Sequence, residues 1–116
     1  MPVHLDCKYE YGAEILRVID GDTVVIRADC GFHVFVVKTV RLAGIDCPEI
    51  RGAEKQRGRD ATSHLKTLID QHSPLTVRTL KDRTGKYGRF LARLIGRDGD
   101  DLNQKMVDDG FAVLRD

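Results

Sequence analysis

Residues 13–43 read AEILRVIDGDTVVIRADCGFHVFVVKTVRLA, a stretch rich in β-branched and aromatic residues that short turn signals interrupt. The dipeptide Asp20-Gly21 favours a two-residue hairpin, because both central positions of such a turn need positive φ. It separates a first strand at about Ala13 to Ile19 from a second strand that begins at Asp22. After the next turn, a third strand extends from Phe32 to Ala43, with Val34, Val36, Val40 and Leu42 on one face. The stretch therefore predicts a three-stranded meander.

The rest of the chain adds two helices and two strands. Between Gly58 and Ser73 the apolar residues recur at the spacing of one helix face: Ala61, Leu65, Leu68 and Ile69. Strands are predicted at about Leu75 to Lys81 and Arg89 to Ile95. A short helix follows an N-cap at residue 100 or 101 and stops at Gly110. Five strands, a helix between the third and fourth and a short C-terminal helix predict an α+β protein, mainly β, built on a five-stranded OB-type barrel.

Length and composition indicate one domain. A chain of 116 residues buries one core, and we assign residues 13–116 to the domain and residues 1–12 to an N-terminal extension. The net charge of +1 gives no general electrostatic argument for a nucleic-acid partner. Three cysteines without a C-x-x-C pair indicate neither a disulfide framework nor a zinc site, and the four histidines have no ligand spacing.

The first twelve residues lack the apolar run of a secretory signal, and no stretch approaches the length of a membrane span. We therefore expect a cytoplasmic protein without a membrane partner.

Charged residues cluster where the predicted strands end. Taken singly, Asp20 is explained as a hairpin-turn residue, and Arg41 as a solvent-facing side chain at the barrel rim. Asp22 lies just past the turn at a strand start, where turn chemistry does not require a carboxylate. Taken together, Asp22 and Asp46 both lie at strand ends that converge on one rim in a meander. Two carboxylates with a carbonyl and waters make an all-oxygen site suited to calcium or magnesium. A neighbouring arginine complements phosphate oxygens, and Glu49 lies close enough in sequence to hold a water there.

Three segments in order carry a family resemblance. They are residues 17–24 (RVIDGDTV), residues 41–49 (RLAGIDCPE) and residues 86–89 (KYGR). With this order and spacing they resemble the signatures of staphylococcal nuclease-like (thermonuclease) domains, from about Ala13 to Leu114. Three motifs in order, with every charged functional position present, make a specific signal.

The resemblance implies a calcium site. Asp22 and Asp46 would bind Ca²⁺ through their carboxylates, and Cys47 through its main-chain carbonyl. Asp20 would support these ligands from behind. A threonine is common in the family at the position of Cys47, which puts water placement rather than metal binding in doubt.

The resemblance also implies a hydrolytic activity. Arg41 and Arg89 would stabilise charge on the phosphoryl oxygens, Glu49 would act as general base, and Lys86 and Tyr87 would contact a substrate phosphate. Family members hydrolyse DNA and RNA and leave 3′-phosphates. The expected function is therefore that of a Ca²⁺-dependent nuclease acting on DNA, RNA or both.

The alternative is a non-catalytic module on the same barrel that binds nucleic acid or protein. Because Asp22, Arg41, Asp46, Glu49 and Arg89 are all present, the enzyme is the preferred interpretation. Family members also continue into a third helix beyond the position of residue 116. We therefore expect the apolar surface under that helix to be covered by the N-terminal extension or by a second copy of the chain, as a homodimer.

Overall fold

In the computed structural model, five strands close into a barrel. The structure describes residues 9–50, 52–84 and 89–115, and only the backbone of residues 80–84. The elements in chain order are β1 (Tyr9–Asp20), β2 (Thr23–Asp29), β3 (Phe35–Leu42), β4 (Ile45–Asp46), α1 (Lys55–His72), β5 (Leu75–Thr84), β6 (Phe90–Ile95), α2 (Leu102–Asp108) and β7 (Val113–Leu114). The barrel order is β1-β2-β3-β6-β5, with β3 and β6 parallel and the other neighbours antiparallel. The predicted α+β barrel is confirmed.

The first hairpin turns one residue later than the sequence predicts. Asp20 pairs with Thr23, so that Gly21 and Asp22 form the turn. Gly21 does not adopt a positive φ, so the expected reason for glycine here is wrong. A Cβ at this position would lie 2.8 Å from Cys47 Sγ and 2.9 Å from Ala61 Cβ. Close packing requires the glycine, and this packing presses the turn against the segment that follows β4.

The starts of β1 and β3 differ most from the prediction. β1 begins at Tyr9, because Tyr9 to Ala13 pair with Thr79 to Leu75 of β5. β3 begins at Phe35, because Phe32 and His33 adopt positive φ in a wider turn. Val34 is therefore half exposed rather than on the core face. Residues 1–8 of the expected extension lie outside the described part of the chain.

The core lies between the barrel and α1. The four apolar residues on one face of α1 are all buried, as the helical spacing predicts: Ala61, Leu65, Leu68 and Ile69. Leu102 and Met106 of α2 are fully buried against the same cluster. α2 begins at the predicted N-cap, where the Asp101 carboxylate accepts from Gln104 N. No helix in the described ranges is both long and apolar enough to cross a membrane.

Asn103 connects α2 to the barrel through three buried hydrogen bonds. Its amide nitrogen donates to Ala43 O at 2.9 Å and to Ala92 O at 3.0 Å. Its amide oxygen accepts from Leu94 N at 3.2 Å. The side chain is fully buried, so these hydrogen bonds replace its lost hydration. Asn103 therefore fixes the turn after β3 relative to β6.

A two-stranded sheet outside the barrel holds the residues after β3. Ile45 pairs with Leu114 and Asp46 with Val113, and Arg115 N donates to Gly44 O at 2.8 Å. Neither short strand was predicted. The pairing gives Asp46 a fixed backbone position near the barrel rim.

We expect Asn103→Ala to lower the free energy of unfolding by about 2–4 kcal/mol, because it leaves buried backbone groups short of hydrogen bonds. Urea denaturation measures this change. The matched control is Gln104→Ala on the exposed side of the same helix, for which the expected change is below about 0.5 kcal/mol. Equal unfolding free energies for the two variants would contradict the role given to Asn103.

Candidate active site

Arg41 lies at the centre of the site, near the end of β3. Its side chain is 12% exposed, and Nη2 lies 3.3 Å from Asp22 Oδ2 and in a shorter contact with Asp46 Oδ1. Nη1 donates to Leu42 O at 3.0 Å and to Ile45 O at 2.9 Å. A buried guanidinium needs such partners to replace its hydration. Arg41 is therefore not the solvent-facing rim residue that one interpretation of the sequence allows.

Asp22 is the most enclosed carboxylate of the site. Oδ2 accepts from Cys47 N at 2.8 Å, and Oδ1 accepts from the Thr23 hydroxyl at 3.1 Å. Asp20 stands behind it, with its own Oδ1 accepting from Asp22 N at 3.2 Å. Burial, followed by the influence of Asp20, raises the pKa of Asp22 from 3.8 to about 6, against the opposing effects of Cys47 N–H and Arg41. The ionised carboxylate is thus incompletely compensated by the protein.

The Cys47 thiol is much less acidic than an ordinary cysteine. Burial, together with the negative charges of Asp22 and Asp20, raises the pKa of its thiol to about 12. Without a bound metal the thiol therefore stays protonated at neutral pH, which disfavours a role as nucleophile. Its backbone N–H, by contrast, holds Asp22 in place.

Asp46 has a second cationic partner that the sequence did not indicate. Arg115 Nη1 lies 3.0 Å from Asp46 Oδ1, with the two side chains 53% and 43% exposed. This contact follows from the β4–β7 pairing, which brings residues 46 and 113 together. Two-residue strands leave no periodic signal in a sequence, so nothing local could have indicated Arg115.

Arg89 contacts the site at Thr23, and the backbone at Glu49 lies against helix α1. Arg89 Nη1 lies 3.4 Å from the Thr23 hydroxyl, which in turn donates to Asp22. Glu49 lies in the exposed segment after β4, and a Cβ at Gly58 would lie only 2.3 Å from Glu49 O. The glycine therefore allows this segment to lie directly on α1. Lys86 and Tyr87 lie outside the described residues.

The donor set fits a hard divalent cation. One oxygen of Asp22 and one of Asp46 converge on the same nitrogen atom of Arg41, so both carboxylates point to one place. The side chains at this place offer oxygen donors, and the thiol beside them is protonated. Such a set is suited to calcium or magnesium rather than to zinc.

A separate group joins the end of α1 to the turn before α2. His72 Nδ1 lies 3.3 Å from Asp98 Oδ2 and 4.0 Å from Asp100 Oδ2. The three side chains offer ligand atoms within 4.8 Å of one another. None of them belongs to the calcium site that the family resemblance implies. No sequence pattern indicates this group, because His72 and the aspartates are far apart in the chain.

Comparison with known proteins agrees with the geometry. The family model described as staphylococcal nuclease homologue matches residues 39–116. Endonuclease YhcR of Bacillus subtilis (strain 168) is 28% identical over 111 residues, covering 89% of this chain and 9% of that protein. An uncharacterized endonuclease of Escherichia coli O157:H7 is 34% identical over 98 residues, covering 84% of this chain and 57% of that protein.

A third relative has a different kind of name. Succinoglycan biosynthesis protein ExoI of Rhizobium meliloti (strain 1021) is 32% identical over 107 residues, covering 85% of this chain and 50% of that protein. The chain thus spans between 9% and 57% of the length of these three relatives.

The raised pKa of Asp22 predicts how the stability of the protein changes with pH when a chelator keeps it free of metal. Because the pKa is raised from 3.8 to about 6 in the folded protein, the folded state binds more protons than the unfolded state between these values. The contribution of Asp22 to stability therefore falls as pH rises from about 4 to 6. We expect Asp22→Asn to be more stable than wild type at pH 7.5 by about 1–3 kcal/mol, with little difference at pH 4.

Urea denaturation of both proteins at the two pH values measures this effect. The asparagine keeps an oxygen that accepts from Cys47 N–H, so the variant isolates the charge. A variant less stable than wild type at pH 7.5 would show that Arg41 compensates the buried carboxylate fully.

Proposed function

Since the chain belongs to the family of staphylococcal nuclease homologues, we propose that it is a Ca²⁺-dependent nuclease that hydrolyses phosphodiester bonds of DNA, RNA or both and leaves 3′-phosphates. The observation that carries this proposal is the convergence of Asp22 and Asp46 on Arg41. Arg89 is linked to Asp22 through the hydroxyl of Thr23. Carboxylates that hold a cation, beside guanidiniums that hold a phosphate, are the elements that phosphodiester hydrolysis needs.

Asp22, Asp46 and the main-chain carbonyl of Cys47 would hold the calcium ion. When bound, the ion withdraws charge from a phosphoryl oxygen and helps orient the substrate. Asp20 keeps the β1–β2 turn in place by accepting from Asp22 N. The proposed ligands thus sit on backbone that the hairpin and the β4–β7 pair already fix.

Arg41 and Arg89 would donate to the phosphoryl oxygens. In the structure Nη2 of Arg41 is occupied by the two carboxylates. If the two carboxylates held a divalent cation, Nη2 of Arg41 would be free to donate to a phosphoryl oxygen. Guanidinium groups fixed in this way stabilise the charge that develops as the nucleophile attacks, which is the largest electrostatic contribution to such reactions.

Glu49 would accept a proton from the attacking water. The water oxygen forms a bond to phosphorus, the bond from phosphorus to the 5′ oxygen breaks, and that oxygen leaves as a hydroxyl after taking up a proton. Gly58 lets the Glu49 segment lie against α1, which restricts where the base can be. Lys86 and Tyr87 would contact a phosphate of the substrate.

A second candidate function is a non-catalytic binding module, which the name of the Rhizobium meliloti relative favours. A module of this kind would bind nucleic acid or protein without hydrolysis under any metal condition. The cleavage experiment below separates the two candidates.

We expect hydrolysis of single-stranded DNA and of RNA in the presence of calcium, and its loss in excess chelator, because the all-oxygen ligand set suits the flexible coordination of Ca²⁺. Gel electrophoresis of labelled oligonucleotides measures cleavage, and mass spectrometry identifies the ends. Added calcium should restore activity after chelation. Full activity in excess chelator would contradict the metal assignment, and 5′-phosphate products would contradict the proposed bond cleavage.

We expect Glu49→Gln and Arg89→Ala each to lower kcat by about 100-fold or more, because each removes a group proposed to act on the reacting phosphate. The matched controls are Glu14→Gln and Arg59→Ala, which change exposed residues elsewhere and should keep the wild-type rate. Thermal melting checks that all four variants are folded. A folded Glu49→Gln or Arg89→Ala variant with the wild-type kcat would refute the role of that residue.

A further inference from the structure

We propose that the cavity beside Asp46 and Cys47 binds a nucleobase of the substrate and favours bases that carry an exocyclic amino group. This inference rests on the proposed nuclease function and adds a base preference to it. The cavity has a volume of about 390 Å³, within the range of pockets that hold small organic groups. It lies between the start of α1, the segment after β4 and the segment that joins α2 to β7.

The cavity adjoins the candidate active site because two residues belong to both. Asp46 contacts Arg41, and Cys47 N donates to Asp22; both residues also line the cavity. A nucleotide whose phosphate lies at the arginines has its base one sugar away. The base of such a nucleotide would therefore lie near the cavity that shares Asp46 and Cys47 with the site.

Part of the cavity wall is apolar. Pro48, Phe111, Ala112 and Val113 contribute to it. The Phe111 ring is held in place by stacking on His64, with ring centroids 4.2 Å apart and planes inclined by 17°. His64 is itself fixed, since its Nε2 lies 2.7 Å from Asp109 Oδ2. A rigid apolar wall of this kind suits the flat face of a base.

The charged part of the wall is mainly acidic. Asp46, Glu54 and Asp60 supply carboxylates, and Arg57 supplies the cation. Arg57 lies 3.5 Å from Glu54, and Gln56 donates to Asp60 Oδ1 at 2.9 Å. Excess negative charge disfavours a phosphate in the cavity, whereas Arg41 and Arg89 favour one outside it. The charges therefore place the phosphate at the arginines and leave the cavity to the uncharged base.

Carboxylate oxygens also discriminate between bases. An ionised carboxylate only accepts hydrogen bonds, and the amino groups of cytosine, adenine and guanine donate them. Thymine and uracil carry no amino group, and a carbonyl oxygen stands where cytosine has its amino group, so a carboxylate repels it. The cavity should therefore favour amino-bearing bases over thymine by about fivefold, the lower end of what one base contact contributes.

The first test maps cleavage in the presence of calcium. The substrates are fluorescein-labelled dT12 and the same strand with a single dC or dA at its centre. We expect about fivefold faster cleavage at one fixed position beside the dC or dA than within the thymine tract. In a second measurement, fluorescence anisotropy in chelator at low ionic strength compares octamers of dC, dA and dT, and the same order of affinity is expected.

The matched variants separate the cavity from the reaction. The double variant Glu54→Gln/Asp60→Asn keeps side-chain volume and removes two carboxylates, so both the cleavage preference and the binding preference for dC and dA over dT should disappear. The control Asp70→Asn changes an exposed carboxylate elsewhere on α1 and should keep the full preference.

The outcomes are distinguishable. Uniform cleavage of all three strands, or a preference that survives in the double variant, would overturn the base site and leave the nuclease function standing. A preference in binding without cleavage would support the cavity and refute hydrolysis. A protein that neither binds nor cleaves any strand would overturn both proposals.

Discussion

The buried guanidinium of Arg41 is the constraint on which the site depends. A charged side chain that is 12% exposed needs compensating partners, and four of them converge on its two terminal nitrogens: two carboxylates and two backbone carbonyls. These partners come from the β1–β2 turn, the end of β3 and β4. One side chain therefore holds three chain segments together at the barrel rim. The same ion pairs fix Arg41 relative to Asp22 and Asp46, the carboxylates proposed to hold the cation.

Close contacts at two glycines reinforce this arrangement from outside the ion pairs. Gly21 brings the hairpin turn against Cys47 and Ala61, and Gly58 brings α1 against the backbone at Glu49. A side chain at either position would push apart segments that carry site residues. Helix α1 therefore both covers the core and contacts, through its N-terminal half, the loop that carries Glu49, the proposed general base.

The sequence predicts those features whose contacts are local or repeat periodically along one helix or strand. The four apolar positions of α1 and the N-cap of α2 are of this kind, and the barrel follows from the strand patterns. The β4–β7 pair and the contact of Arg115 with Asp46 join residues far apart in the chain, so no local pattern predicts them. The close packing that requires glycine at position 21 also involves a distant residue, Cys47, so the turn dipeptide alone does not predict it.

The charge balance at the rim is compatible with the proposed action of a nearly neutral chain on a polyanion. Asp20, Asp22 and Asp46 stand against Arg41, Arg89 and Arg115, so the carboxylates and guanidiniums offset one another. A bound divalent cation would change this balance to a net positive charge at the proposed phosphate position. Cation binding and phosphate binding would then be thermodynamically coupled, and each would strengthen the other. In the proposed function the attraction for nucleic acid is confined to the site, and the overall charge of +1 is no argument against it.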